Sequence, residues 1–456
     1  MIKLRPNQEA AVDFIYAHDN SLVLAPVGAG KTAIAQTSIK EFLQTGVAKR
    51  FLVLAPKRVC TDVWAQEAVK WMPSVSIAVA VGSPGERLAA FDSEAQVVVM
   101  NYENIAWLCD DNPQLLKGFD GVVYDELTKL KNPSGKRFKS WFKRLPQFKI
   151  TVGLTGSFTS NGLEDCFGQC KVVDQKLLGR AKGAFLQQYF HCIDREKSIY
   201  EPRESALKLV MERIRPAVFM IDNQTYKNTL PPLNIIEMYC DMADRKPYEK
   251  MKKDLAYEFP TAKIIAQNTA VVSNKLRQLA SGFIYETTKT PNPNSPGKFI
   301  TTQKTIWVSD HKFNLLAEIV EENQNAPTII VYNFQEELAE LLRRYPSAET
   351  IDRLNIVPRW NKGEVPMLLI HPKSAGHGLN LQFGGSKMIF VSQPWSQEEY
   401  EQTIGRLHRS GQEHAVYVYL LQTRNSIDMR VLASLGDKKE LSNLALQELQ
   451  TVKEIV

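Results

Sequence analysis

The chain has 456 residues, too many for one hydrophobic core, and is expected to divide into two or three domains. Its 44% hydrophobic and 23% charged residues exclude a disordered or fibrous protein. A net charge of +6 is too mild to name a partner, so any polyanion has to be argued from local clusters.

The start, Met1-Ile2-Lys3-Leu4-Arg5-Pro6, has no apolar signal region, and no apolar run approaches membrane-spanning length, so the protein is expected to stay where it is made. Next comes the buried run Ser21–Leu24, then Ala25-Pro26-Val27-Gly28-Ala29-Gly30-Lys31-Thr32, then a helix-like segment from Ala33 to Leu43. Strand, glycine turn and helix make a phosphate cradle: Gly28 and Gly30 let backbone N–H groups curl toward an anion, which the helix N-terminus also favours. Lys31 is placed to reach β- and γ-phosphates, and the Thr32 hydroxyl to ligate Mg2+. Ala25 replaces the first glycine of the usual pattern.

Further short Val-, Ile- and Leu-rich runs follow at Phe51–Pro56, Ser76–Gly82, Gln96–Tyr102, Gly121–Glu126 and Ile150–Gly156, with amphipathic stretches such as Val59–Trp71 between them. This alternation predicts a doubly wound parallel α/β sheet. Gly121–Glu126 ends in two adjacent carboxylates, Asp125 for a magnesium ion and Glu126 to orient water, on the edge where parallel strands end together. From Leu127 to Lys149 there are eight lysines or arginines and no acid. Lys136, Arg137 and Lys139 interleave with Phe138, Trp141 and Phe142, a pattern suited to tracking phosphates, although the aromatics fit a core equally well.

From about Gly162 to Ile300 the strand signal fades; Lys176–Phe190, Ser205–Val218, Asp244–Phe259 and Ala262–Gly282 read as helices. Leu230-Pro231-Pro232-Leu233 reads as a linker, and Pro291–Gly297 as an exposed loop. Strands return at Thr328–Tyr332, Met367–His371, Met388–Ser392 and Val416–Leu421, and the last twenty or so residues read as one amphipathic helix. Six scattered cysteines fit reduced core thiols; Cys166, Cys170, His191 and Cys192 match no common zinc spacing. In the second α/β stretch, Arg406 and Arg409 are neighbours on one helix face and can bring positive charge to a transferred phosphate.

Several of these segments resemble, in order, the motifs of the superfamily-two helicase-like motors, and within them the Swi/Snf-type DNA translocases. Asp125-Glu126-Leu127-Thr128 is similar to the DEAH box, followed by the Swi/Snf-like Leu130-Lys131-Asn132. Leu4–Gln8 resembles the segment whose glutamine reads adenine, which assigns Gln8 to the nucleotide. Leu54-Ala55-Pro56-Lys57 and Met100-Asn101-Tyr102-Glu103 resemble the two motifs that touch the nucleic-acid backbone, which assigns Lys57 and Tyr102. Leu154-Thr155-Gly156-Ser157 resembles the motif coupling hydrolysis to movement. His371–Leu381 resembles the segment facing both DNA and cleft, implicating Ser374 and Gly376; Gln402–Gln412 resembles the arginine-finger motif, implicating Gln402, Arg406 and Arg409. Thr128 and Phe158 depart from the family's histidine and proline, which puts in question the contact between lobes and the shape of the coupling turn.

The resemblance implies an α/β fold of two RecA-like parallel-sheet lobes with helical insertions between them. Residues 1–161 are the expected ATP-binding lobe, 162–300 the insertions with a linker near 230–233, 301–435 the C-terminal helicase lobe, and 436–456 a terminal helix. The implied function is a DNA-dependent ATPase moving on duplex DNA with ATP and Mg2+. A strand-separating DNA or RNA helicase and a nucleotide-gated nucleic-acid-binding scaffold are the alternatives. The expected protein is a compact bacterial or phage monomer in the cytoplasm (the host's if viral), binding duplex DNA without sequence preference. It is expected to work away from membranes, beside a separately encoded nuclease or replication partner.

Overall fold

Every apolar run of the first third folds as a short strand, and all but the half-buried edge strand at Ile77–Ala80 are buried along both faces, the environment that near-continuous Val, Ile and Leu require. In the computed structural model, which describes residues 3–159, 162–194, 196, 199–221, 230–259, 262–265, 269–291, 299–375 and 379–451, they are β1 (Asn20–Leu24), β2 (Phe51–Ala55), β3 (Ile77–Ala80), β4 (Val97–Asn101), β5 (Gly121–Asp125) and β6 (Ile150–Thr155). They form a parallel sheet in the order β3-β4-β2-β5-β6-β1, closed at its edge by Val218–Met220 beside β1. Alternate residues feed two cores: Leu22, Leu52, Val122 and Tyr124 on one face, Val23, Val53, Val123 and Leu154 on the other.

The second sheet is also parallel, in the order Leu233–Cys240, Val416–Thr423, Lys387–Phe390, Thr328–Val331, Met367–Ile370, Glu349–Thr350. Its two faces carry separate cores, Ile329, Ile370 and Phe390 against Ile330, Leu369 and Ile389. The chain is therefore two parallel-sheet lobes. Among the described residues no helix is long and apolar enough to cross a membrane.

The stretch from Gly162 to Ile300 is not purely helical, which corrects the expected loss of strands. Val218–Met220 completes the first sheet, Leu233–Cys240 is an edge of the second, and three antiparallel hairpins lie between residues 190 and 307. Edge strands and hairpins are half exposed, so they lack the continuous apolar run that marks a central strand: Leu233–Cys240 alternates exposed and half-buried residues. The helix predicted over Asp244–Phe259 is Lys246–Asp254; Leu255, at φ 58°, turns the chain into the strand Ala256–Phe259. The loop read at Pro291–Gly297 lies outside the described residues from position 292 onward. The terminal helix begins earlier than expected, at Ile427, and packs against the first-lobe helix Ala206–Ile214.

His311 pins the second lobe together. Its Nε2–H donates to the Ala280 carbonyl at 3.0 Å, and its Nδ1 accepts from the Ser309 hydroxyl at 3.0 Å. Burial, then the neighbouring Lys312, lower its pKa to about 4. A depressed folded-state pKa means the unfolded chain binds the proton first, so stability is lost as pH falls from about 6.5 toward about 4. The second lobe should lose roughly 2–3 kcal/mol across that window. Urea midpoints at neutral and mildly acid pH, compared with His311→Gln, check this: the variant should show the smaller drop.

Candidate active site

β1 delivers the glycine turn to the C-terminal edge of the first sheet. Gly28 and Gly30 have φ of 82° and 88°, the left-handed region this turn needs, whereas Ala25 is not among the positive-φ residues, so its Cβ is tolerated there. The Ala25 amide donates to the Thr155 carbonyl at 3.0 Å, docking the turn on β6. Gly30 also has no room for a side chain, since a Cβ would stand 2.3 Å from Gln8 Nε2. That nitrogen donates to the Ala29 carbonyl at 2.8 Å, so the first helix, α1 (Pro6–Tyr16), is tied to the turn. Lys31 opens α2 (Lys31–Gln44) and donates to the Ala25 and Pro26 carbonyls at 3.0 and 3.4 Å. Burial lowers its pKa, while Glu126 and Asp125 pull it back up.

β5 carries Asp125 to the same edge, where burial raises its carboxyl pKa against the opposing pull of Trp64, Lys31 and Arg406. The Trp64 indole donates to Asp125 Oδ2 at 2.8 Å, and Gln36 of α2 donates to the Trp64 carbonyl at 2.8 Å. The phosphate-cradle helix therefore orients the acid through one tryptophan. Glu126 sits at φ 69°, ψ 66°, a left-handed backbone that costs a non-glycine residue about 1–2 kcal/mol. Strain of this kind persists where the surroundings enforce it.

The second lobe supplies the helix Gln397–Ile404, capped by the Ser396 hydroxyl, which accepts from the Glu399 amide at 3.3 Å. Gly405 follows and rests on the glycine turn: a Cβ there would meet Val27 Cγ1 at 2.5 Å. Arg406 comes next and is buried; the helix has already ended at Ile404, so Arg406 and Arg409 lie in the turn that follows rather than on one helix face as expected. Burial and then Arg409 bring its pKa down to about 9, opposed by Glu126 and Asp125. Arg409 Nη1 donates to the Leu379 carbonyl at 3.3 Å. The result is a cavity of about 220 Å³ between the lobes, walled by Gln8, Gly28, Gly30, Lys31, Thr32, Asp125, Glu126, Gln402, Arg406 and Arg409.

All the residues assigned to the nucleotide from sequence thus meet in one place. The nucleic-acid assignments divide. Lys57, Lys136 and Lys139 are exposed and Ser374 is half-buried, while Gly376 lies outside the described residues. Tyr102 is corrected: it is fully buried, and its hydroxyl donates to the Asp125 carbonyl at 3.0 Å, so it supports the acid from beneath. Arg137 faces Glu103 at 3.5 Å, and Phe138 and Trp141 are buried in the core. Thr128, despite its departure from histidine, does join the lobes: its hydroxyl lies 2.8 Å from Glu398 Oε1 and 3.1 Å from Glu126 Oε1. Phe158 is buried, and its carbonyl accepts from Gln169 Nε2 at 3.1 Å. Sequence reasoning missed Trp64, Glu398 and Gly405. Only Gly405 carried a signal, being the small residue immediately before Arg406.

A hard cation that keeps waters and phosphate oxygens needs few protein ligands. The Thr32 hydroxyl and Asp125 carboxylate, both in the cavity wall, fit that donor set. Among the described residues no cluster of three His, Cys, Asp or Glu side chains is placed to hold a metal by itself. The six cysteines are free thiols, four of them buried.

The chain is similar in sequence to known proteins over nearly its whole length. The DEAD/DEAH box helicase family matches residues 5–165, and the helicase conserved C-terminal domain matches residues 311–411. Protein p41 of Acyrthosiphon pisum secondary endosymbiont phage 1 is 30% identical over 98% of both chains. Protein CHROMATIN REMODELING 25 of Arabidopsis thaliana is 24% identical, and the ISWI chromatin-remodeling complex ATPase ISW2 of Saccharomyces cerevisiae 22% identical, each over 98% of this chain. The chain spans 56% and 41% of those two relatives' own lengths. A solved SWI2/SNF2 ATPase core of Sulfolobus solfataricus in complex with dsDNA covers 98% of the chain and 97% of its own, at 18% identity and a TM-score of 0.45. With the motifs in order and a cleft built from both lobes, the chain belongs to the Swi/Snf-type branch of the superfamily-two helicase-like ATPases, ATP-hydrolysing enzymes of the helicase and translocase type.

Proposed function

We propose that the protein hydrolyses ATP in the inter-lobe cleft and uses the cycle to move along duplex DNA. The observation that carries this reading is the composite wall of the cavity, with Lys31, Thr32, Asp125 and Glu126 on one lobe and Gln402, Arg406 and Arg409 on the other. Such a site is complete only when the lobes are together, so binding and product release drive closing and opening. Gln8, beside the glycine turn, is the base reader. Thr32 and Asp125 would hold Mg2+, which neutralises charge on the phosphates when bound. Glu126 orients the attacking water, and the two arginines meet charge developing on the transferred phosphoryl group.

Duplex DNA is supported by the Swi/Snf-type affiliation and by where the exposed cations lie. Lys57 follows β2, and Glu103, the partner of Arg137, follows the adjacent β4, whose Asn101 pairs with Ala55. Lys57 and the helix Lys136–Phe142 thus share the sheet edge that carries the cleft. Amines at such an edge bind phosphate without reading bases, so binding should be sequence-tolerant and weaken steeply with salt. The phage relative fits a motor working in the host cytoplasm, where the DNA is.

The test is ATP turnover alone and with duplex DNA, single-stranded DNA and RNA. The expected result is a low basal rate stimulated most by duplex DNA, followed by displacement of a third strand from a triplex. Stimulation by single strands or RNA only would replace translocation by strand separation. Nucleotide binding without turnover on any polymer would leave a nucleotide-gated scaffold.

A further inference from the structure

We propose that Glu398 is a positioning residue that senses lobe closure and sets Glu126 free to act. The inference rests on the ATPase reading above and concerns a side chain that does not line the cavity.

The Thr128 hydroxyl has one proton and two carboxylate oxygens within reach, Glu398 Oε1 at 2.8 Å and Glu126 Oε1 at 3.1 Å, so it can donate to only one of them. Thr128 is buried, and an unmade bond costs more there than at the surface. Glu398 Oε1 also accepts from Gln402 Nε2 at 3.3 Å, one turn along the helix that leads into Arg406. One oxygen therefore gathers a donor from each lobe. Burial and the charge of Glu126 raise the Glu398 carboxyl pKa, which the Thr128 bond, Lys131 and Lys129 oppose, so the donors are what hold this carboxylate in place.

This arrangement works as a switch. With the lobes together, Thr128 donates to Glu398, and Glu126 Oε1 keeps its lone pairs for water. With the lobes apart, Glu398 leaves with its helix, and the only acceptor of the pair still near Thr128 is Glu126, whose oxygen is then occupied. Glu126 is thereby available only when Arg406 has also arrived. No bond to the nucleotide is involved, so the effect belongs to kcat rather than to ATP binding.

The experiment compares the full-length protein with Glu398→Ala, Glu398→Gln, Thr128→Val and the double variant Thr128→Val with Glu398→Ala. The readouts are DNA-stimulated kcat and KM for ATP, with binding of a fluorescent ATP analogue as the control for folding. Glu398→Ala should lower kcat about tenfold with KM and analogue binding unchanged, as expected for one hydrogen bond. Glu398→Gln, whose amide oxygen still accepts from Thr128, should recover most of that loss. The double variant should be faster than Glu398→Ala and approach the unmodified rate, because the misdirected hydroxyl is gone. An unchanged kcat in Glu398→Ala, a glutamine no better than alanine, or a double variant no faster than Glu398→Ala would overturn the proposal. Absence of turnover in the unmodified protein would instead overturn the ATPase reading. Should Glu398→Ala not fold, Thr128→Val decides: with no hydroxyl left to occupy Glu126, it must keep kcat near the unmodified rate, as must Glu398→Gln, and a tenfold loss in Thr128→Val would overturn the proposal.

Discussion

Glu126→Gln should lower DNA-stimulated ATP turnover about 10³-fold, within the range for loss of a positioned general base, while ATP affinity stays within a few-fold. The substitution keeps the size of the side chain and one oxygen for the Thr128 hydroxyl, 3.1 Å away, so the left-handed backbone at φ 69° has no new reason to relax. What is lost is the negative charge in the wall opposite Arg406 and beside Asp125. The cradle that holds phosphates is built from Gly28, Gly30 and Lys31, none of which changes, so binding and chemistry should separate cleanly. Phosphate release and titration with a fluorescent nucleotide measure the two. A variant that keeps more than a tenth of the rate would remove Glu126 from the reaction and turn attention to Asp125 and Glu67, the other carboxylates in the cavity wall.

Arg406→Ala is the second large effect expected, a loss of about 10³-fold in kcat from removing charge at the transferred phosphoryl group. Arg406 is 7% exposed, and it lies on the lobe opposite the glycine turn, so its charge reaches the cleft only through closure. Burial has pulled its pKa down to about 9, with Glu126 and Asp125 favouring the charged form, so the guanidinium is still protonated at neutral pH. Lysine should rescue poorly, because a compact ammonium lacks the planar fork that grips two oxygens at once. Single-turnover hydrolysis with saturating DNA separates chemistry from release; equal single-turnover rates in the variant and the unmodified protein would assign Arg406 to packing alone.

Much of the fold was legible because its signals are local. β1 to β6 lie within one or two residues of the runs that mark them, since a strand buried on both faces must be apolar along its whole length. The strands that escaped, Val218–Met220, Leu233–Cys240 and the hairpins, are short or half exposed, and they are strands only because a partner is present. Tyr102 shows the same limit in the site. Its position in a motif marked it as surface, but a tyrosine following β4 points wherever the neighbouring strands leave space, and here that space lies under Asp125.

The sequence by itself determined the chemistry: a glycine turn followed by Lys31 and Thr32, two carboxylates at a strand end, and two arginines three residues apart are covalent facts whose spacing limits what they can do. It also determined two α/β lobes, through repeated short-range patterns. Only the tertiary structure decided how the halves meet. Trp64 on Asp125, Gly405 on Val27 and Glu398 on Thr128 join residues from 61 to 378 positions apart in sequence, the last by 270. Such contacts leave no periodicity in the chain, because they depend on the shapes of two surfaces that exist only after each lobe has closed its own core.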